Sequence, residues 1–387
     1  GASTHTFNNL THSGSGTLQL SSAIDVNGAF NNSGGTFDCN SLNQNFAGNF
    51  TLGVGTTYTS GGTLTFDGSG SSALSDNTAG QQDLGSVTID GSTKTITTST
   101  DVKVTDLTIT DTLDITGDTL TLTGSGTPLS ITGTFTTTNS TVKYTGTTAT
   151  NIATTPYNNL TLDPASGTPT YSLTGSLTSS NDLDGTLTIS SDGTLDTTAS
   201  NYNIELAGNW SNSGTFTSNS STVTFDSGSA GNTIVTGGTG AGQDFHNVVF
   251  NNGSGEWTIQ TNDMKVANDL TITDVSSFTL NSGRTLEVNG TYSIADSETS
   301  ATTWAGSTLY LNSGSGYTVG SKSQSAETYG TLQIGADTDI RIWQSDASTY
   351  TVDASGSLYS QDHANADGDV YVWGDYHTQT NDYWSYE

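Results

Sequence analysis

A short segment near the start of the chain returns along its whole length, and this repeat constrains the fold more than any other feature. It reads FNNLT at 7–11, and it returns as YNNLTL from Tyr157 and as FHNVVF from Phe245. Related segments begin at Leu84 and Tyr329. The copies start near positions 7, 83, 157, 245 and 329, about 75 to 90 residues apart. Such a long internal period predicts an architecture in which each repeat packs against the next.

Two further landmarks keep their order within the copies. Counterparts of the GNWSNSGTF tract at 208–216 lie at 46–50, 129–135 and 286–292. Counterparts of the STVTFD tract at 221–226 lie at 62–67, 140–144 and 307–311. Conserved order among three landmarks is difficult to produce by composition alone, so the repeats reflect structure.

Apolar residues alternate with polar ones within each copy, as in Leu64 and Phe66 or Val223 and Phe225. Period-two alternation predicts short β-strands with one buried face. The Gly, Asn, Asp and Ser residues between these strands predict turns. The strand centres of the fourth copy step by about 20 residues, at Val248, Leu270, Val288, Leu309 and Leu332.

Two architectures fit short strands joined by regular turns: an array of antiparallel sandwiches or a parallel β-solenoid. Only 31% of the residues are hydrophobic, whereas sandwiches of about 80 residues would need a heavier core. Stacked coils need only a thin apolar layer each, and they let Thr and Asn form ladders along the stack. Disorder is disfavoured because only 11% of the residues are charged.

The sequence therefore predicts an all-β chain, a parallel β-helix (β-solenoid) with about 20 residues per coil. It predicts a single β-solenoid over 1–387 with five longer repeats, the last of them incomplete: 7–82, 83–156, 157–244, 245–328 and 329–387.

The three tracts together resemble the repetitive β-helix surface proteins of bacteria, in which they occur in the same order. The resemblance extends from about Phe7 onward over nearly the whole chain. The second copy is degenerate, and the fifth stops within its GNW-like segment near Trp373. Such tracts are typical of large adhesins and cell-surface fibres, so the resemblance implies an extracellular structural role.

The chain is strongly acidic, with 7 Lys and Arg against 37 Asp and Glu and a formal net charge of −30. Nucleic-acid binding requires clustered basic residues, and the few basic residues here are scattered. Anionic membrane surfaces are disfavoured for the same reason, and no apolar run approaches the roughly 18 residues that span a bilayer. Divalent cations and cell-surface polysaccharide remain as possible partners, beside copies of the chain itself.

The cysteine content and the first residues bear on localisation. Cys39 is the only cysteine, so no internal disulfide can form, and we expect a small buried side chain rather than an intermolecular bridge. The chain opens GAST without Met, as a mature product does after signal-peptide removal and as a cloned fragment also would. Together with the resemblance, this predicts a secreted protein of the cell surface.

No catalytic constellation stands out in the sequence. Polysaccharide hydrolases with a parallel β-helix need two or three carboxylates converging on one face. Asp182, Asp184 and Asp192 recur in turn-like settings, where a turn-forming role on a solvated edge is the simpler interpretation. The five histidines lack metal-ligand or triad spacing. We therefore expect no enzyme activity, no catalytic residue and no cofactor other than the Ca²⁺ considered next.

One segment resembles part of a calcium loop, because oxygen ligands recur at close spacing and a Gly follows the third of them. The candidate ligands are Asp362, Asn365, Asp367 and Asp369. No bidentate Glu follows, and an acidic turn is the alternative that the sequence favours.

The last part of the chain is rich in aromatic residues, which are enriched in interface cores. A self-contained aromatic cap and an intermolecular contact fit this pattern equally well. The candidates for self-association are Tyr371, Trp373, Tyr376, Tyr383, Trp384 and Tyr386.

Three functions follow, in decreasing order of preference. The first is a non-catalytic extracellular subunit that stacks end to end into a filament or surface layer, because an open solenoid exposes unpaired strands at its ends. The second is an adhesin stalk or a carbohydrate-binding β-helix segment of a larger surface protein. The third is a polysaccharide-degrading enzyme.

Overall fold

The computed structural model describes residues 4–240, 242–295, 298, 301–312, 317–319, 328–334, 340–343, 351–352, 358–360 and 370–373. Apart from short 3₁₀ turns such as Ser179–Asn181, every regular element in these ranges is a β-strand. The chain divides into two compact units, Gly1–Ser221 and Thr222–Glu387, called here the first and second unit.

The strands of the first unit are β1 (His5–Phe7), β2 (Leu10–His12), β3 (Thr17–Gln19), β4 (Ile24–Val26), β5 (Phe30–Asn32), β6 (Thr36–Asp38), β7 (Gln44–Phe46), β8 (Phe50–Leu52), β9 (Thr57–Thr59), β10 (Thr63–Phe66), β11 (Gly70–Asp76), β12 (Ser86–Ile89), β13 (Lys94–Thr98), β14 (Val102–Val104), β15 (Asp106–Ile109), β16 (Thr112–Asp114), β17 (Thr119–Leu122), β18 (Leu129–Ile131), β19 (Thr134–Thr136), β20 (Thr141–Tyr144), β21 (Thr150–Ile152), β22 (Asn159–Leu162), β23 (Thr170–Leu173), β24 (Leu187–Ile189), β25 (Thr194–Asp196), β26 (Ile204–Leu206), β27 (Trp210–Asn212) and β28 (Thr215–Thr217). Those of the second unit are β29 (Thr222–Phe225), β30 (Asn232–Val235), β31 (Asn247–Ile259), β32 (Met264–Val266), β33 (Leu270–Leu280), β34 (Thr285–Val288), β35 (Tyr292–Ile294), β36 (Thr302–Leu311), β37 (Tyr317–Val319), β38 (Thr328–Ile334), β39 (Ile340–Trp343), β40 (Thr351–Val352), β41 (Leu358–Ser360) and β42 (Val370–Trp373).

Each unit is a parallel β-solenoid, which confirms the predicted fold class. In the first coils of the first unit, three strands turn through one coil, and each pairs in parallel with its counterpart one coil later: β1 with β4, β2 with β5, and β3 with β6. Three parallel ladders therefore grow along this part of the stack. The antiparallel sandwich alternative is wrong, because every strand pair between described residues of one unit is parallel.

The coil length varies around the predicted value of about 20 residues. In the first unit the register advances by 18 residues from Val142 to Leu160 and by 27 from Leu160 to Leu187. In the second unit it advances by 22 residues from Val248 to Leu270 and again to Tyr292. The ladder spacing is set by backbone hydrogen bonding, so differences in coil length are taken up by the turns.

The second unit has two longer bent strands. β31 and β33 pair along three successive stretches, which are separated by register shifts on either side of residues 251–252. A second ladder runs through β32, β34, β36, β38 and β41. A third joins β37, β39 and β42. Buried and partly exposed residues alternate at both ends of β31 and along the last part of β36, and the alternation is interrupted at residues 251–254 and 305–306.

The core is a column of inward-facing side chains in each unit, as the period-two alternation predicts. Leu64 and Phe66 on β10 are 1% and 0% exposed. Aromatic rings stack from coil to coil in both units, for instance Phe30 on Phe50 with ring centroids 4.9 Å apart and Phe225 on Phe250 with centroids 5.0 Å apart. Each coil is therefore stabilised mainly by burial against its two neighbours.

The second Asn of the repeated FNNLT motif joins its coil to the next in three of the copies. Asn9 Oδ1 accepts a hydrogen bond from the backbone N–H of Ala29 at 2.8 Å. Asn159 Oδ1 accepts one from Thr186 at 2.9 Å, and in the second unit Asn247 Oδ1 accepts one from Asp269 at 3.2 Å. These N–H groups lie at corners between strands, so the side chain pairs donors that the ladders leave free.

A lysine lies in the core of the first unit, which the sequence did not predict. Lys94 begins β13 in an inward-facing position and is 0% exposed. Its Nζ donates to the carbonyl of Ala47 and, at 2.8 Å, to Ser72 Oγ. Burial lowers the pKa of Lys94, and the nearby carboxylate of Asp67 partly opposes this effect.

We expect this buried amine to make stability rise with pH. Because folding lowers the pKa of Lys94, the unfolded chain binds more protons below the usual lysine pKa of 10.5, and the free energy of unfolding increases through that window. The variant Lys94→Met should lose this increase in the pH range just below 10.5. The measurement is urea unfolding of both proteins across that range. Parallel curves for the two proteins would contradict the assignment.

Candidate functional site

The outer edge of the first described coil is the principal candidate for a functional surface, called here the open edge and formed by β1, β2 and β3. Each of these strands pairs with the following coil, and no other described strand pairs with its opposite side. Among the described residues the outer backbone groups of the open edge are therefore unpaired, and an unpaired parallel edge can accept a strand of a further coil.

The side chains of the open edge are exposed where their counterparts one coil later are buried. Phe7 is 38% exposed, whereas Val26, its register partner on β4, is 0% exposed. Leu10 is half-buried and pairs with Phe30, which is 1% exposed. The cross-section of the apolar core is thus partly open to solvent at this edge.

Two histidines also lie on the open edge. His12 Nδ1 lies 2.9 Å from Asn32 Oδ1. Asn32 is fully buried and donates through Nδ2 to the carbonyl of Thr57, so its Oδ1 is the acceptor and His12 Nδ1 carries the proton. His5 pairs in register with the buried Ile24. A coil added here would cover both imidazoles.

The aspartates that the sequence places in turns do lie between strands. Asp184 is in a bend and Asp192 in a turn, and Asp182 precedes the bridge residue Leu183. Burial raises the pKa of Asp182, and the neighbouring carboxylates of Asp184 and Glu205 add to the effect. Within the first unit, Glu205 also accepts a hydrogen bond from the backbone N–H of Ser179 at 2.5 Å.

Most of the residues proposed for calcium binding and self-association lie outside the described residues. These are Asp362, Asn365, Asp367 and Asp369, together with Tyr376, Tyr383, Trp384 and Tyr386. Tyr371 and Trp373 fall on β42, whose backbone pairs in parallel with β39, opposite Arg341 and Trp343 respectively. Both sets of candidates stay predictions.

Cys39 is buried, as predicted. It is 0% exposed, and its thiol contacts the side chains of Tyr58 and Gln44. Tyr58 donates through its hydroxyl to Gln44 Oε1 at 2.9 Å. Burial raises the pKa of the Cys39 thiol to about 11, which makes the thiolate scarce at neutral pH and the sulfur unreactive.

The sequence did not show which residues form the open edge, although it predicted unpaired strands at the ends of the solenoid. The motif was the available signal, because its first aromatic residue is 0% exposed at Tyr157 and Phe245. In the first copy the same position is Phe7, which is exposed. Sequence reasoning also missed the role of the motif's second Asn, for which recurrence was the available signal.

Comparisons with known proteins place no relative beside this chain. No protein-family model matches it, no curated protein is significantly similar to it, and no solved structure matches its fold. Among the described residues, no helix has the length and apolar character needed to span a membrane.

Proposed function

We propose that the chain is a non-catalytic structural protein, a β-solenoid subunit that assembles end to end with copies of itself into an extracellular filament or surface layer. The observation that carries the proposal is the open edge, with β1, β2 and β3 paired on one side among the described strands and Phe7 38% exposed. Adding a coil there continues three parallel ladders and buries apolar surface, and both effects stabilise the contact.

The acidic composition supports this role. A formal charge of −30 disfavours lateral contact between copies, so association is favoured at the open edge, where the core is partly exposed. Divalent cations would weaken this lateral repulsion. The resemblance to bacterial surface fibres also agrees with an extracellular location.

The test is electron microscopy and sedimentation of the purified full chain over a concentration series. We expect rods that lengthen with concentration for the wild-type protein. The variant Phe7→Lys should remain short, because a lysine on the core cross-section of the open edge would be buried without a partner in the assembly. Phe7 is already 38% exposed in the single chain, so this variant should fold normally.

Val54→Lys is the matched control, because Val54 is another exposed large apolar residue, 84% exposed, in the loop between β8 and β9. Its rods should lengthen as those of the wild type do. Short particles at every wild-type concentration would refute self-assembly and favour the second candidate, a stalk segment of a larger surface protein. Adding EDTA to the same series tests whether calcium contributes to the contacts.

A further inference from the structure

A mixed-charge group in the second unit, called here the flank cluster, consists of Asp244, Lys265 and Glu287, whose charged groups lie near one another, and of Asn289, which follows β34 two residues after Glu287. Strand register aligns Lys265 on β32 with Glu287 on β34. Asp244 lies one coil before Lys265, beside the bridge that joins the two coils. The charged side chains are half-buried, with 23%, 25% and 19% of Asp244, Lys265 and Glu287 exposed.

The ion pairs of the flank cluster are open rather than closed. Lys265 Nζ lies 3.8 Å from Asp244 Oδ2 and 3.6 Å from Glu287 Oε1, beyond hydrogen-bond distance from either. By contrast, Lys143 Nζ in the first unit lies 2.5 Å from Asp163 Oδ2.

Two buried acceptors of the cluster have no hydrogen-bond partner among the described residues. They are Asp244 Oδ1 and Asn289 Oδ1. A buried acceptor without a donor is destabilising, so native structures rarely leave one unpaired unless a water, an ion or a ligand supplies the donor. Each of these two oxygens can therefore accept a hydrogen bond from a group outside the chain, such as a water or a ligand hydroxyl.

The pKa values of Asp163 and Asp244 shift in opposite directions, in agreement with the different distances to their lysines. Hydrogen bonding to Lys143 lowers the pKa of Asp163. Burial raises the pKa of Asp244, although Lys265 opposes the effect, and Glu287 raises it further. The ammonium of Lys265 therefore does not compensate for the desolvation of Asp244, and a further donor at this carboxylate would be favourable.

The chemistry of the cluster selects the ligand class. The ammonium of Lys265 opposes a metal cation, and the two carboxylates oppose a phosphate, a sulfate or an acidic sugar. Amide and ammonium donors lie beside carboxylate and amide acceptors, and Asn312 Nδ2 on the next coil donates to Glu287 Oε1 at 3.3 Å. A neutral molecule that carries many hydroxyl groups, each both donor and acceptor, fits such an arrangement.

We propose that the flank cluster binds a neutral saccharide, whose hydroxyl groups donate to Asp244, Glu287 and Asn289 and accept from Lys265. The site lies in the second unit and the open edge in the first, and the proposed binding uses no residue of the open edge. Sugar binding and filament formation can therefore be tested separately, since Phe7→Lys should leave saccharide binding unchanged.

The test is isothermal titration calorimetry of the full chain with cellohexaose, chitohexaose and mannohexaose, and with hexagalacturonate as the anionic comparison. We expect at least one neutral probe to bind and hexagalacturonate to bind more weakly. Asp244→Asn and Glu287→Gln keep the side-chain shape but remove a charged acceptor. Each should weaken binding by about tenfold or more, the usual effect of losing one hydrogen bond to a charged group.

Lys143→Met is the matched control, because it removes a lysine from an ion pair in the other unit, and it should bind as the wild type does. Circular dichroism confirms that each variant is folded before titration. The proposal is overturned if no neutral probe binds, if hexagalacturonate binds best, or if the two flank-cluster variants bind with wild-type affinity.

Discussion

Replacing Phe50 by alanine lowers the free energy of unfolding of the first unit by about 4 kcal/mol, in the usual range for a buried Phe→Ala change. Phe50 on β8 is 0% exposed. Its ring centroid lies within 6 Å of four other aromatic centroids: 4.9 Å from Phe30, 5.3 Å from Phe46, 5.8 Å from Tyr58 and 5.9 Å from Phe66. No other ring in the first unit has more of these contacts among the described residues.

The loss should be large because the site cannot collapse. The coils before and after β8 are held at a fixed spacing by parallel ladders, through β5 and β11. The cavity left by the missing ring therefore persists, and its lining loses dispersion contacts on one side.

Urea unfolding followed by circular dichroism measures the change, with amide hydrogen exchange of β7 to β10 as a local readout, since repeat proteins can unfold in parts. The control is Val54→Ala, which removes an 84% exposed side chain and should change stability by less than about 0.5 kcal/mol. A Phe50→Ala effect as small as the control's would mean that these rings do not form a packed column.

The architecture could be predicted because the apolar alternation and the repeat both reflect one requirement, the burial of one face of every strand in the core of the solenoid. Residues such as Val223 and Phe225 face inward because a thin solenoid has one buried side per strand, and both are buried. The number of strands per coil could not be predicted, since all faces of a coil share the same period-two pattern.

The variation in coil length is also hidden in the sequence. The longest advance in the first unit, from Leu160 to Leu187, includes the 3₁₀ turn Ser179–Asn181 and a loop on either side of it. Turn residues such as Gly, Asn and Ser allow several loop lengths at similar energy. Their presence therefore indicates where a coil turns, but not after how many residues.

The candidate sites depend on contacts between residues distant in sequence, which composition does not reveal. Lys94 is read from sequence as an ordinary surface lysine, but its partners Ala47 and Ser72 are 47 and 22 residues away on other coils. The flank cluster likewise combines residues from successive coils, and each alone is an unremarkable charged residue. Only the register brings Lys265 beside Glu287.

The glycine that opens the GNW tract is expected to be essential for close packing of successive coils. Gly208→Ala should lower the free energy of unfolding by about 3 kcal/mol, at the upper end of the usual cost of overpacking. A Cβ atom at Gly208 would lie 2.8 Å from Gly185 Cα, and it would overlap the carbonyl group of that residue. The obstacle is backbone rather than a movable side chain, so the two coils would have to separate. Gly185 has little room to shift, because its own surroundings are also tight. A Cβ atom at Gly185 would lie 2.6 Å from Asn159 Oδ1, which accepts a hydrogen bond from the backbone N–H of Thr186.

Gly228→Ala is the matched control, since a Cβ there would lie no closer than 3.7 Å to any atom, the nearest being Asn252 Nδ2. Where the backbone conformation tolerates alanine, this change restricts the unfolded chain and raises stability by about 0.4–1 kcal/mol. The same chemical substitution is thus expected to have opposite signs at the two positions, as measured by urea unfolding. If Gly208→Ala were also neutral or stabilising, close approach of successive coils could not be the reason that glycine recurs in this tract, and its role would be limited to forming the turn.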